Sequence, residues 1–194
     1  MNFTKTSIPE IVLIKPLVKE DHRGYFVETF RKDEFKNAIG NHVDFFQENE
    51  TQSKKGVLRG LHFQLPPFAQ SKLVRVIEGE VLDISVDIRE GSPTFGQHIA
   101  VNLSSKNKHQ LFIPRGFAHG FVVLSEMAIF TYKVDNYFSS KSESGIVFDD
   151  PSLGINWKLP LDQLKLSDKD LRLPRLEMLR NEISQFKYKK NLYD

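Results

Sequence analysis

Two histidines carry most of the chemical interest of this sequence. His62 lies in RGLHFQLPP (59–67), and His119 follows the turn Pro114-Arg115-Gly116. One metal-binding pattern sets two histidines two apart on a strand, with a later carboxylate and a third histidine beyond a Pro-x-Gly turn. Here the turn and its histidine are present, but Gln64 stands where the second histidine would be. Zinc or iron held by nitrogen and oxygen wants at least three good ligands. His62, His119 and an amide make a poor set, and the cation of Lys72 opposes a metal further, so none is expected. The other chemical use of His62 is proton transfer, set against the plain reading of a structural or surface histidine. An imidazole ordinarily titrates near ~6.5, and it works best as a base when a carboxylate fixes its tautomer. The chain holds 25 acidic residues. SDKD (167–170) is the densest small cluster, but composition alone does not choose the partner. Arg23, in DHRGYF, and Arg59, in LRGLHF, each precede a glycine, where a guanidinium can fork onto phosphate oxygens. Either one alone reads first as a surface arginine beside a turn. Tyr132, in IFTYKV, is either a core tyrosine or a general acid.

The elements that must position these residues are mostly strands. LVRVIEGEVLDISVDIRE (73–90) alternates, with Leu82, Ile84, Val86 and Ile88 on one side and Asp83, Ser85 and Asp87 on the other. That is the period of a half-buried strand, preceded by a turn at Glu78-Gly79-Glu80. Further strands are expected in 8–18, 24–30, 96–105, 109–114, 120–125, 127–134 and 144–150. Many short strands at roughly ten-residue spacing, separated by Gly, Pro and Ser, predict an all-β jelly-roll sandwich or barrel. KDEFKNAIG (32–40) predicts a short helix stopped by Gly40. In the tail, Leu176, Leu179, Ile183 and Phe186 recur at helical spacing, and the last eight residues, which are basic, are expected to fray.

The chain has 194 residues, which fits a single domain (core about 8–174) with a helical tail over about 175–194. A net charge of +2 gives no large basic field for nucleic acid. The absence of cysteine excludes disulfides and thiolate metal sites. No apolar run approaches membrane-spanning length, and MNFTKTSIPE lacks the features of a signal peptide, so a cytoplasmic location is expected.

DHRGYFVETF (21–30), FQENETQSKKGVLRGLHFQLPP (46–67), KLVRVIEGEVLDISVDIREGSPTFG (72–96), IPRGFAHGFVVLSE (114–126), YKVDNY (132–137), DDPSLGINW (149–157) and LSDKD (166–170) together resemble the dTDP-4-dehydrorhamnose 3,5-epimerase family, in the family's order. The resemblance implies a cupin-like jelly roll without metal or cofactor. The implied substrate is a nucleotide-linked 4-keto-6-deoxy sugar inverted at carbons 3 and 5. It casts His62 as the base, Asp170 as its paired carboxylate, Tyr132 as the acid on the opposite face, and Lys72 as the cation near the keto oxygen. Arg23, Arg59 and His119 match positions around the diphosphate. Glu28, Gln47, Glu48 and Asn49 match nucleotide-binding positions, partly contributed across a homodimer. Glu143 and Lys169 match further substrate contacts.

Three positions depart from the family pattern. Phe138, which can still stack on the sugar but offers no hydrogen bond, replaces a second aromatic hydroxyl; Glu48 replaces an aspartate; and YKVDNYF changes the polarity of the loop framing the pocket. The alternatives left open are an epimerase of one carbon, one acting on another nucleotide sugar such as a GDP-heptose, a non-catalytic sugar-nucleotide binder, and a metal-dependent cupin.

Overall fold

A computed structural model describes residues 1–40 and 42–193. The chain forms β1 (Asn2–Lys5), β2 (Val12–Lys15), β3 (Val18–Asp21), β4 (Gly24–Val27), α1 (Lys32–Ile39), β5 (Gln47–Lys54), β6 (Leu58–Gln64), β7 (Lys72–Glu78), β8 (Glu80–Asp87), β9 (His98–Ser104), β10 (Gln110–Ile113), β11 (Phe117–Val123), β12 (Met127–Val134) and β13 (Glu143–Gly145). Short helices α2 (Asp168–Leu171) and α3 (Arg180–Ile183) follow. One sheet runs β1-β2-β10-β7-β12-β5 and the other β13-β6-β11-β8-β9, with every neighbouring pair antiparallel. Hairpin β3–β4 is a separate ribbon. The two sheets face each other as the expected cupin-like jelly roll. Among the described residues, no helix is long and apolar enough to cross a membrane.

Strand alternation sorts the side chains into three layers. Val74, Val76, Val81, Phe117, Phe121, Val123 and Phe130 fill the space between the sheets. Leu73 and Phe112 face outward under Phe35 of α1. Leu82, Ile84, Val86 and Ile88 face outward from the other sheet, under Trp157, Leu176, Leu179, Ile183 and Phe186. The expectation that β8 is half-buried is therefore corrected. Its polar side faces the barrel interior, so Asp83, Ser85 and Asp87 are fully buried too.

The tail differs from its expectation in shape and in order. Leu176, Leu179, Ile183 and Phe186 are all buried, but a 3-10 turn over Leu176–Met178 and the single turn of α3 replace a continuous helix. Nor are its last residues frayed. Lys187 bridges to Glu90, Tyr188 covers the Arg89 guanidinium, Leu192 accepts a hydrogen bond from Arg115, and the Tyr193 hydroxyl bonds Ser71. Asp194 lies outside the described residues. The strand expected over 144–150 shrinks to β13, and that over 24–30 ends at Val27. At Gly145 the backbone runs so close to β6 that an added Cβ would stand 2.4 Å from the Leu61 carbonyl oxygen.

Candidate active site

His62 is carried on β6, where it sits opposite His119 of β11. The two strands approach closely because Gly60 and Gly120 meet there. A Cβ on Gly60 would lie 2.5 Å from the Gly120 Cα, and the β6–β11 register slips just after His119. The glycine of the Arg59-Gly60 pair thus serves strand packing directly beside the imidazole.

Asp170 reaches His62 from α2, 108 residues further on, with Nε2 to Oδ1 at 2.6 Å. Ser167 caps this one-turn helix by accepting the Asp170 N–H, which fixes where the carboxylate points. Burial pushes the Asp170 carboxyl up, but the hydrogen bonds from His62 and the Ser167 hydroxyl outweigh it and hold the group below its ordinary value. An ionised carboxylate only accepts, so it fixes the proton on Nε2 and leaves the lone pair on Nδ1.

A cavity of about 290 Å³ opens beside the imidazole, lined by His62, Lys72, Tyr132, Gln47, Asn49 and Glu143, with Phe138 at its rim. β6 and β12 belong to opposite sheets, so His62 and Tyr132 stand on facing walls. Tyr132 is pushed above its ordinary pKa chiefly by burial, against the pull of Asn49 and Arg59, so the phenol keeps its proton through neutral pH. Dehydration pulls the Lys72 ammonium down to about 8, against the attraction of Asp83 and Glu143. A second cleft of about 400 Å³ shares His62 and is lined by Arg59, Lys165, Lys169 and Asp170. A sugar-sized cup therefore adjoins a cationic groove, with His62 between them.

Several of the expected site residues lie elsewhere. Alternation along β5 points Gln47 and Asn49 inward and Glu48 outward, where Glu48 pairs with Lys133 at 2.6 Å. His119 is buried behind the cup, with Nε2 2.8 Å from Asp83 Oδ2. Arg23 is exposed on the β3–β4 hairpin and forks onto Asp21. Glu28, just beyond that hairpin, is also exposed and does not line the cavity. Lys169 is in the groove and forms an ion pair with Glu143.

Gln64 gives both amide hydrogens to the Phe68 and Tyr137 carbonyls and takes the Ser139 N–H, so its side chain ties together the loops at the rim. Among the described residues, no group of three or more His, Asp or Glu side chains is gathered as a metal site. Sequence reasoning passed over Gln70, a cavity residue, and gave Asp83 no chemical role. The only trace of Asp83 was a polar residue on the inner period of β8.

A cupin-like barrel that gathers a carboxylate-paired imidazole, a phenol and an ammonium around one cavity has the groups of an acid–base isomerase. The sequence profile of dTDP-4-dehydrorhamnose 3,5-epimerase matches residues 5–178. The chain belongs to that epimerase family and is an isomerase. It is 53% identical over 171 residues to dTDP-4-dehydrorhamnose 3,5-epimerase of Shigella flexneri, covering 88% of this chain and 93% of that one. The crystal structure of dTDP-6-deoxy-D-glucose-3,5-epimerase of Legionella pneumophila in complex with dTDP-4-keto-L-rhamnose superposes with a TM-score of 0.92 at 45% identity, over 98% and 99% of the two chains. A 3'-monoepimerase of Streptomyces bikiniensis in complex with dTDP-quinovose superposes with a TM-score of 0.87 at 30% identity, over 95% and 93%.

Proposed function

We propose that this protein inverts carbons 3 and 5 of a nucleotide-linked 4-keto-6-deoxy sugar, dTDP-4-dehydro-6-deoxy-D-glucose, giving dTDP-4-dehydro-L-rhamnose. The observation that carries this reading is the single cavity with His62 and Tyr132 on facing walls and Lys72 beside them. A hydrogen next to a ketone is weakly acidic, and its removal needs a positioned base and a cation at the developing enolate oxygen. His62, oriented by Asp170, takes the proton. Lys72 stabilises the oxyanion. Tyr132 returns a proton from the other side of the ring, which inverts the carbon. The groove of Arg59, Lys165 and Lys169 suits the diphosphate, with the sugar in the adjoining cup. Arg23 and Glu28 lie outside that cup, and the reading has them complete a second copy's nucleotide site in a cytoplasmic homodimer. Turnover in deuterated water tests it. Label should enter carbons 3 and 5, and no exchange with any 4-keto nucleotide sugar would remove the proposal.

A second reading, inversion of one carbon, draws on Phe138. It stands at the rim, 57% exposed, without the hydroxyl the family pattern carries there. Counting labelled carbons in the product separates the two readings. If Phe138→Tyr leaves that count unchanged, the missing hydroxyl does not set it.

A further inference from the structure

We propose that Asp83 is a positioning residue of this reaction, holding His119 from behind the cup and supplying the buried counter-charge of the Lys72 ammonium. Its catalytic consequence rests on the epimerase reading above.

Asp83 sits in the middle of β8, and strand alternation turns it into the barrel. Its side chain is wholly buried. A carboxylate placed there costs several kcal/mol unless it is compensated. Its Oδ2 meets His119 Nε2 at 2.8 Å. Among the described residues its buried Oδ1 has no hydrogen-bond partner, and neither has the buried Ser85 hydroxyl. Charge is the compensation that remains. Burial pushes the Asp83 carboxyl above its ordinary value, against the pull of His119 and of Lys72, from β7 in the opposite sheet.

The groups around Lys72 come from every neighbouring wall. Asp83 of β8 and Glu143 of β13 favour its charge. His119 of β11 lies within electrostatic reach of both Lys72 and His62. His62 of β6 and Tyr132 of β12 line the same cavity. The two carboxylates differ in their commitments, because Glu143 already forms an ion pair with Lys169. Burial pulls His119 below its ordinary pKa, so the imidazole donates to Asp83 as a neutral ring. The negative charge of Asp83 is left within electrostatic reach of Lys72. Without that charge a dehydrated lysine gives up its proton more readily, and a neutral amine does not stabilise an enolate oxygen.

The test is a side-chain NMR titration of the unliganded full chain, with and without Asp83→Asn. In the wild type, Lys72 should titrate near pH 8. In Asp83→Asn its midpoint should fall by about one pH unit or more, a tenfold or greater gain in acidity. The alkaline limb of kcat/KM should move with it. An unchanged Lys72 midpoint in the variant overturns the proposal. A measurement on the wild type alone covers a variant that fails to fold. The Asp83 carboxyl carbon must show a step in chemical shift as Lys72 loses its proton, and a flat trace overturns the proposal equally. Coupling seen by NMR together with no deuterium exchange in any 4-keto nucleotide sugar upholds the charge pairing and overturns the epimerase reading.

Discussion

Asp170 gives His62 a fixed tautomer and ring plane and, in the proposed reaction, a counter-charge for the imidazolium formed when a proton is taken. Removing His62 removes the proposed base itself. His62→Ala is expected to lower turnover by at least the ~10²–10⁴-fold of a single acid–base group and to abolish solvent exchange, read in deuterated water. Asp170→Asn should lower turnover but leave a measurable residual rate, because the imidazole remains but loses its orientation and charge partner. In the proposed reaction, Lys72 ties both catalysis and stability to the same pH window. The proposed reaction needs its charged form at the enolate oxygen, so kcat/KM should fall as pH rises through about 8. The same lowered pKa means that the folded state binds fewer protons than the unfolded state between about 8 and the ordinary 10.5. The cost of the buried charge is therefore fully present below about pH 8 and is relieved as pH rises through that window. Lys72→Met should abolish turnover and lower stability at pH 7, measured by denaturant unfolding, because it also strips Asp83 of its buried counter-charge.

At the scale of elements, the tail is part of what holds β8 in place. Ile183 and Phe186 press on the outer face of the sheet that carries His62, Asp83 and His119. Phe186→Ala should cost about 3–5 kcal/mol of stability, as expected for a large aromatic leaving a full cavity, again read by denaturant unfolding. If it costs less than about 1 kcal/mol, the tail is only loosely docked. The tail also marks how far the sequence could be read. The period-two pattern of β8 and the Gly-Pro punctuation were legible as strands because they record local backbone geometry. The helical spacing from Leu176 to Phe186 correctly marked residues that become buried, but spacing alone does not distinguish one helix from two short turns folded onto a sheet. The polar residues of β8 looked solvent-facing, because alternation says which residues share a side and not what that side meets. The resemblance places Glu48 with Gln47 and Asn49, but one step along a strand turns its side chain to the other face. The meeting of His62 with Asp170 spans 108 residues. No local pattern encodes such a contact, and it was legible only through the family resemblance.

At the scale of the whole molecule, the single chain leaves part of its proposed machinery unused. Tyr25 and Phe26 on the β3–β4 hairpin are 57% and 67% exposed, and Phe46 and Tyr137 are 62% and 63% exposed. Arg23, on the same hairpin, forks onto its neighbour Asp21 and does not line the cavity. Exposed aromatics beside an arginine free of the cup suit a surface that covers, and is covered by, a second copy. Complementation between two inactive variants tests this directly. Arg23→Ala should lose nucleotide affinity and His62→Ala should lose the base, and each homodimer should be nearly inactive. In a mixed dimer, the cup of the Arg23→Ala chain still has His62 and receives a normal Arg23 from its neighbour, whereas the other cup lacks both. Unfolding and refolding an equimolar mixture makes half of the dimers mixed, so about a quarter of the wild-type sites should be restored. If Arg23 serves the cup of its own chain, every cup in every combination carries one lesion, and mixing restores nothing.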